Sequence, residues 1–578
     1  MKRIYQSLFF IFILCHTLVS TAQEKSDYNW ILGYPPNDPN EFFGGVNLSF
    51  HGNQLSMEYF PTLCHVNEPA ILSSPTGRLL AYSEGCRLYN GQHEVLASGD
   101  SLAYGEVWDS YCDLIGYPGD QHHLLLPWPG DTNRAVIFYL KVADDFLSSK
   151  LYYSIILFDK EYPNGKVIAK DQFLIETGRA ALMSANKHAN GRDWWILLPE
   201  PESNRFFKFL LTPIGTMAVD TQAIGDQIGL RSHSSQAVFT PDGKRYIRFN
   251  PWNGLDIFDF DRCTGQLSNP IESGPFSDPV IGVGGVACSI DSKYLYVSNR
   301  QFLYQYDLHE TDILSSRMLV GTYDGYVDPF PTTFYHMLLA PDGKIYMFSS
   351  NGVKSLHVID HPERKGMLCG LRQHAIKLPA YNDIGSPTMP YFRLGPLDGS
   401  ACDTLGINNL PIAYFKYARD TTDLLLLELS NLSYFEPETF HWDFGNGQTS
   451  SLERPEYVTY STDGDYTICL TVANQYGQNT YCQTVTISDS ITSVNPISNY
   501  EVRVFPNPFG DKIYLTNTHF TDNYDFYLFS TDGKLLKKER ISTADYAVDV
   551  SSLHPGMFIY TVSRKGEELQ RGKLLKVE

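Results

Sequence analysis

The sequence lacks the signatures of most catalytic and metal-binding chemistries. Ten cysteines contain no Cys-x-x-Cys pair, which excludes zinc-ribbon and thioredoxin chemistry. His93-Glu94 and His309-Glu310 lack the second histidine of a zincin helix. No Gly-x-Ser-x-Gly elbow occurs. Gly243-Lys244, Gly343-Lys344 and Gly533-Lys534 lack the upstream glycine and the following Ser/Thr of a phosphate loop. Asp259-x-Asp261-x-Cys263 lacks the glycine and ligands of an EF-hand. Positive charge is also short: 45 Lys and Arg against 65 Asp and Glu leave a net charge of −20. Such a chain gains nothing from phosphate counterion release, so nucleic acid is not an expected partner. Beyond the N-terminus no run reaches the roughly 18 apolar residues of a spanning helix.

The N-terminus reads as a secretory signal peptide over residues 1–22. Lys2 and Arg3 precede the apolar run Leu8–Leu14, and Ser20-Thr21-Ala22 offers small residues before a cleavage site. The run is too short for an anchor. The mature chain is expected to have no transmembrane segment. Export permits disulfides, and nine cysteines remain once Cys15 is removed, so at least one thiol stays free.

Aromatics make up 14% of the chain and charged residues only 19%, a balance that suits pleated, half-buried β structure. The organising stretch is Phe239-Thr240-Pro241-Asp242-Gly243-Lys244-Arg245-Tyr246-Ile247. It reads as strand, tight turn, strand: Pro presets φ, Asp bonds back to the turn, and Gly takes the φ > 0 position. The unit recurs at Leu339–Met347 and, as Asp291-Ser292-Lys293, at Ser289–Val297. Gly243, Ser292 and Gly343 are 49 and 51 residues apart. Further copies lie at Ser73–Tyr82, Leu124–Tyr139 and Ala189–Leu198. A hairpin repeating at this period is the mark of propeller blades. An all-β fold is predicted, with a propeller over residues 23–396. Six copies and a composite terminal blade, to which Phe42–Phe50 contributes, suggest seven blades; six or eight stay open.

Leu397–Thr404 is rich in Gly, Ser and Asp, so residues 397–410 read as a linker. An Ig-like sandwich is expected over 411–488. Its centre is Phe440-His441-Trp442-Asp443-Phe444-Gly445-Asn446-Gly447, followed by Pro455, Tyr460 and Gly464-Asp465-Tyr466-Thr467-Ile468 before Asn474. This run resembles the PKD domain. Asn446 stands where that family usually has Asp, and Ile468 where it has Val.

After a polar linker at 489–499, residues 500–578 open with Val504-Phe505-Pro506-Asn507-Pro508-Phe509. They continue with the Asp532-Gly533-Lys534 hairpin, Leu553-His554-Pro555-Gly556-Met557-Phe558 and the basic end Lys573-Leu574-Leu575-Lys576. The segment resembles the type A C-terminal sorting domain of type IX secretion, as a β-sandwich. That resemblance implies secreted proteins of Bacteroidota, contact with the type IX machinery, and a place outside the cell or on the outer-membrane surface, reached through the periplasm. Glu84–Asn90, Lys187–Trp195 and Phe260–Gly265 are similar to stretches of large secreted PKD proteins of that phylum, a class that implies no defined activity.

Polar residues near the starts of the innermost strands are the candidate ligand-facing set: Glu68, His188, His233, Ser234, Gln236 and His336. Their offsets from the turns differ, so no histidine ring is expected. No catalytic residue, cofactor or metal ligand is assigned. Cys469 and Cys482 sit nearly opposite across the Gln475-Tyr476-Gly477 hairpin. Nearness in sequence pairs Cys86 with Cys112, Cys263 with Cys288, and Cys369 with Cys402, leaving Cys64 free. The expected function is a secreted or surface binding and adhesion protein. The propeller is its recognition head for an extracellular protein or glycan, and the sandwich its spacer. The rival is an extracellular carbohydrate-active enzyme, a hydrolase or lyase, with its site in the propeller channel.

Overall fold

The computed structural model describes residues 23–34, 43–61, 65–114, 116–144, 146, 148–178, 181–227, 235–276, 282–419, 425–455, 457–488, 502–505, 511–517, 523–530, 534–543, 545–564 and 567–576. The signal peptide, Cys64, His233, Ser234 and the 489–499 linker lie outside them. The chain divides into two compact units, Met1–Ile487 and Ser488–Glu578.

The predicted hairpins form in all six places. Thr240 to Arg245 shows why. The Asp242 carboxylate accepts from the Thr240 hydroxyl (2.6 Å) and the Lys244 N–H (3.0 Å), and Gly243 takes φ 69°. Asp342 accepts from the Lys344 N–H in the same way (3.1 Å). In the third copy the strained position falls to Ser292, at φ 58°. Its hydroxyl accepts from the Asp242 N–H (2.9 Å), tying neighbouring turns together.

Seven antiparallel sheets follow one another among the described residues from Asn29 to Lys377, each with its strands in chain order. The first strands of the third to seventh sheets line a common axis: His123–Pro127, Ser184–Lys187, Gln236–Phe239, Gly284–Cys288 and Met337–Leu339. Each sheet packs its apolar face on the next. Trp195 and Phe206 meet Tyr246 and Phe258, Phe249 and Leu255 meet Val286 and Leu295, and Tyr296 and Leu303 meet Ile345 and Met347. The ring closes where Trp30 packs on Tyr346 and Phe348, with centroids 5.6 and 6.3 Å apart. Of the expected Phe42–Phe50 stretch, of which Phe42 lies outside the described residues, the strand Gly44–Ser49 enters this closure in the middle of the first sheet. Pro387–Tyr391 also lines the axis. It runs parallel beside Ala70–Ser73 and bonds there from Thr388 N–H to Pro69 O (2.8 Å). The N-terminal region is a β-propeller.

The sandwich pairs the sheet of Phe415–Arg419, Leu426–Asn431 and Tyr457–Thr459 with that of Thr439–Asp443, Thr449–Ser450, Gly464–Asn474 and Gly477–Ile487. Trp442 is fully buried between them, edge-on to Phe415 at 5.3 Å. The sandwich packs on the turn end of the propeller. Lys416 Nζ donates to Phe50 O (3.2 Å), Arg364 pairs with Glu428 (3.2 Å), and Leu432 lies against Gly343. The expected linker lies along the same end, with Leu397 N–H bonded to Ala189 O (2.8 Å). Near it Arg393 clasps Asp27 with two bonds of 2.6 and 2.7 Å.

Disulfides join Cys86 to Cys112, Cys469 to Cys482, and Cys263 to Cys402. The expected pairs Cys263–Cys288 and Cys369–Cys402 do not form. Cys263 sits in an outer turn of the fifth sheet, facing the linker that carries Cys402. Cys288 ends an inner strand beside the axis and Cys369 is buried between the sixth and seventh sheets, both as free thiols.

The second unit is a sandwich of its own. Val502–Phe505, Lys512–Asn517 and Asp545–Asp549 form one sheet, and Tyr524–Ser530, Leu535–Ile541, Gly556–Arg564 and Glu567–Lys576 the other. Ile513, Phe526, Leu528, Val548 and Val562 fill its core. The motif residues Pro506–Phe509 and Asp532-Gly533 lie outside the described residues.

Candidate functional site

The inner strands begin at one mouth of the propeller axis, and three of the expected ligand-facing residues meet there. Glu68, 3% exposed, reaches His336, 1% exposed, at 3.1 Å from Oε1 to Nδ1. Burial pulls the His336 imidazole down, but the Glu68 carboxylate outweighs it, and the pKa lies above the ordinary value. His336 Nε2 faces Ser235 O at 2.9 Å. The other Glu68 oxygen accepts from the Gln121 N–H (2.8 Å). Gln236 accepts from the N–H groups of Val286 (2.9 Å) and Met337 (3.0 Å), and donates to Met337 O (2.7 Å).

His188 is not part of this group. It follows the end of its strand rather than the start, in the turn beside the linker. There its Nε2 meets Cys263 O (3.2 Å) and its Nδ1 accepts from Asn190 N–H (3.0 Å). Being three residues before Gly191, it falls past the strand that runs away from the mouth. His233 lies outside the described residues. Trp194, Trp195 and Trp128 are core residues.

Four polar residues that the sequence reading passed over complete the mouth. Gln121 spans the axis, donating to Ala237 O (2.9 Å) and accepting from Ala237 N–H (2.6 Å). Asp120 accepts from Ser235 N–H (2.9 Å). His122 and His123 face each other at 3.0 Å, Nε2 to Nδ1. Burial drives His122 down to about 4, and burial with its neighbour holds His123 well below the ordinary value, so both are neutral near pH 7. The signal was available: Asp120–His122 precede an inner strand that His123 opens, just as Gln236 opens another.

The chemistry of this cluster is mutual satisfaction. Each carboxylate serves a neighbouring strand: Glu68 serves His336 and Gln121, Asp120 serves Ser235, and Asp383 serves His65 (3.0 Å). The bonds of Gln121, Gln236 and His336 cross from sheet to sheet and lace the mouth shut. The axis beyond them holds about 70 Å3 of space, against Leu124, Met183, Val238, Leu339 and Met389. Ligand sites usually offer roughly 300–1,000 Å3. Glu84, buried behind Ser83, has its carboxyl pushed up to about 8 by burial. Its partners are the Arg87 N–H (3.3 Å) and the Tyr89 hydroxyl (3.4 Å). No cluster of three or more metal-ligating side chains occurs among the described residues.

Comparison with known proteins divides along the domains. Residues 418–488 match the family described as PKD domain, and residues 503–576 the family described as secretion system C-terminal sorting domain. The solved PKD1 domain of the Vibrio cholerae metalloprotease PrtV is 32% identical, covering 14% of this chain and 96% of that one, with a TM-score of 0.13. The PKD1 domain of Vibrio anguillarum Epp is 34% identical, covering 14% and 99%, also at 0.13. A solved protein from Lactobacillus plantarum is 10% identical and covers 62% of this chain and 99% of its own, with a TM-score of 0.34. No curated protein matches. The sorting domain marks the chain for export to the extracellular or cell-surface space. No helix among the described residues is long and apolar enough to cross a membrane.

Proposed function

From the premise that the chain is an exported PKD-domain protein ending in a type IX sorting domain, we propose that it is a binding and adhesion protein. The propeller is the recognition head and the PKD domain its pedestal. The observation that carries this reading is the laced mouth. Side chains that a channel enzyme would need free, Glu68, His336, Gln121 and Gln236, are spent on neighbouring strands. Catalytic carboxylates of a glycosidase must face a substrate across several ångströms of open site. Here the axis is bridged and the space beyond it is small. Recognition then falls to the rim loops at the mouth end, away from the turn end on which the PKD domain docks with clefts of about 550 and 820 Å3 beside it.

A glycan array run beside an activity screen on plant and algal polysaccharides tests this, using the full chain. Binding without product release is expected. Release of oligosaccharides by the pure protein sinks the reading and restores the enzyme.

A further inference from the structure

The rim at the mouth end carries an aromatic ribbon with no role in the core. Residues 323–336 lead from the outer strand of the sixth sheet to His336 at the axis. Their tip exposes Tyr326 by 43% and Phe330 by 54%. The tip is held in one shape. Asp328 N–H donates to Phe330 O (3.0 Å), Thr332 N–H to Tyr326 O (3.2 Å), and Asn351 Nδ2 to Pro331 O (2.8 Å). The Tyr326 ring lies 4.4 Å from His374, which in turn meets Asp324 at 3.1 Å.

The ribbon continues onto the seventh and first sheets. Lys354 Nζ sits 4.8 Å over the Tyr381 ring. Burial pulls the Lys354 ammonium below its ordinary value, Asp328 of the tip pulls it up, and nearby Lys377 adds to the lowering. Tyr381 lies 5.4 Å from Phe43, whose carbonyl accepts from the hydroxyl of Tyr59, itself 45% exposed. Tyr326, Phe330 and Tyr59 are thus exposed along the rim, and Tyr381 lies half-buried between Lys354 and Phe43.

We propose that this ribbon binds an uncharged polysaccharide chain, the sugar rings stacking on the aromatics and their hydroxyls bonding to the polar groups between. This names the ligand class for the recognition-head reading and rests on it. The charges select the class. Asp324 and Asp328 stand against Lys354 and Lys377 here, and the whole chain stands at −20, so a polyanion gains no net attraction. The tip also exposes Val327 by 55% beside Tyr326 and Phe330, and past it Lys354 separates these rings from Tyr381. An aromatic ring offers a flat face of low entropy cost that suits the C–H face of a pyranose, and the fixed tip lowers the ordering cost of binding.

The test is affinity electrophoresis of the full chain in gels holding laminarin, xyloglucan or mixed-linkage β-glucan, with alginate as the polyanion. Retardation by at least one neutral polymer and none by alginate is expected. Tyr326→Ala and Tyr381→Ala should each weaken it at least tenfold, at unchanged melting temperature. Ile214→Ser, on an exposed hairpin of the fourth sheet, should leave it unchanged. No retardation by any neutral polymer, or retardation indifferent to both tyrosines, overturns the inference. Binding to a purified protein ligand without polysaccharide binding overturns the glycan class and leaves the recognition head standing. Release of reducing ends from the gel polymer overturns both.

Discussion

Glu68 and His336 meet at 3.1 Å on the propeller axis, one ahead of the second sheet and the other ahead of the seventh. The pair ties together the two sheets that flank the first, across the ring closure, and it is buried on both sides. Removing one partner of such a pair leaves the other uncompensated, at a cost of about 3–5 kcal/mol. Glu68→Gln should therefore lower the melting temperature strongly. The loss also depends on pH. His336 titrates above its ordinary value of 6.5 in the folded state, so the pair's contribution is full below that pH and fades as pH rises through the folded value. The difference in melting temperature between wild type and Glu68→Gln should shrink from pH 6 to pH 9. A constant gap would show that no charge pair is involved.

Glu84 gives a second pH signature of its own. Burial raises its carboxyl from 4.5 to about 8. A raised carboxyl pKa means that the folded state holds a proton the unfolded state releases. Stability from this group then falls as pH rises from 4.5 through 8. Glu84→Gln keeps the shape without the charge. It should match wild type at pH 5 and melt several degrees higher at pH 9, read by scanning calorimetry.

The Cys263–Cys402 bond closes a long loop, with a sequence separation of 139. In the chain-entropy account such a closure contributes about 4–5 kcal/mol. Cys402→Ser should lower the melting temperature and open the 397–410 stretch to trypsin. A non-reducing digest should yield the 263–402 cross-link and free thiols at Cys288 and Cys369. A Cys263–Cys288 peptide would refute the pairing.

Arg393 holds Asp27 with two short bonds next to the PKD domain. Arg393→Met leaves the Asp27 carboxylate buried and alone, at a cost of about 3–5 kcal/mol. Domain docking should loosen with it. Hydrogen exchange at Leu397, whose N–H bonds to Ala189 O of the propeller, should quicken while exchange at Phe415 and Trp442, inside the sandwich core, stays slow.

The terminal unit is compact in its own right, with its own core. Deletion after Ser490 should leave a folded propeller and PKD domain retained in the periplasm. Fusing residues 491–578 to a periplasmic reporter should carry it to the surface or the medium. Export of the truncated chain, or a reporter that stays inside, would remove the addressing role.

What the sequence determined by itself is local or periodic. Pro-Asp-Gly turns state their geometry within five residues, because the Asp242 carboxylate bonds to Thr240 and Lys244. Their recurrence near fifty residues implies radial repetition. Trp442 with its glycine turn, and the paired strands around Cys469 and Cys482, likewise belong to one hairpin neighbourhood. The tertiary structure decided everything that depends on closing the ring. It brought Glu68 to His336, sent Cys263 to the linker rather than to Cys288, and put His188 at the far end from Gln236. It also aligned Tyr59, Tyr381 and Tyr326 from three separate stretches along one rim. Turn chemistry acts over a few ångströms of backbone and is written in adjacent letters. Convergence on an axis depends on the twist and packing of all the sheets together, and no spacing within one repeat contains it.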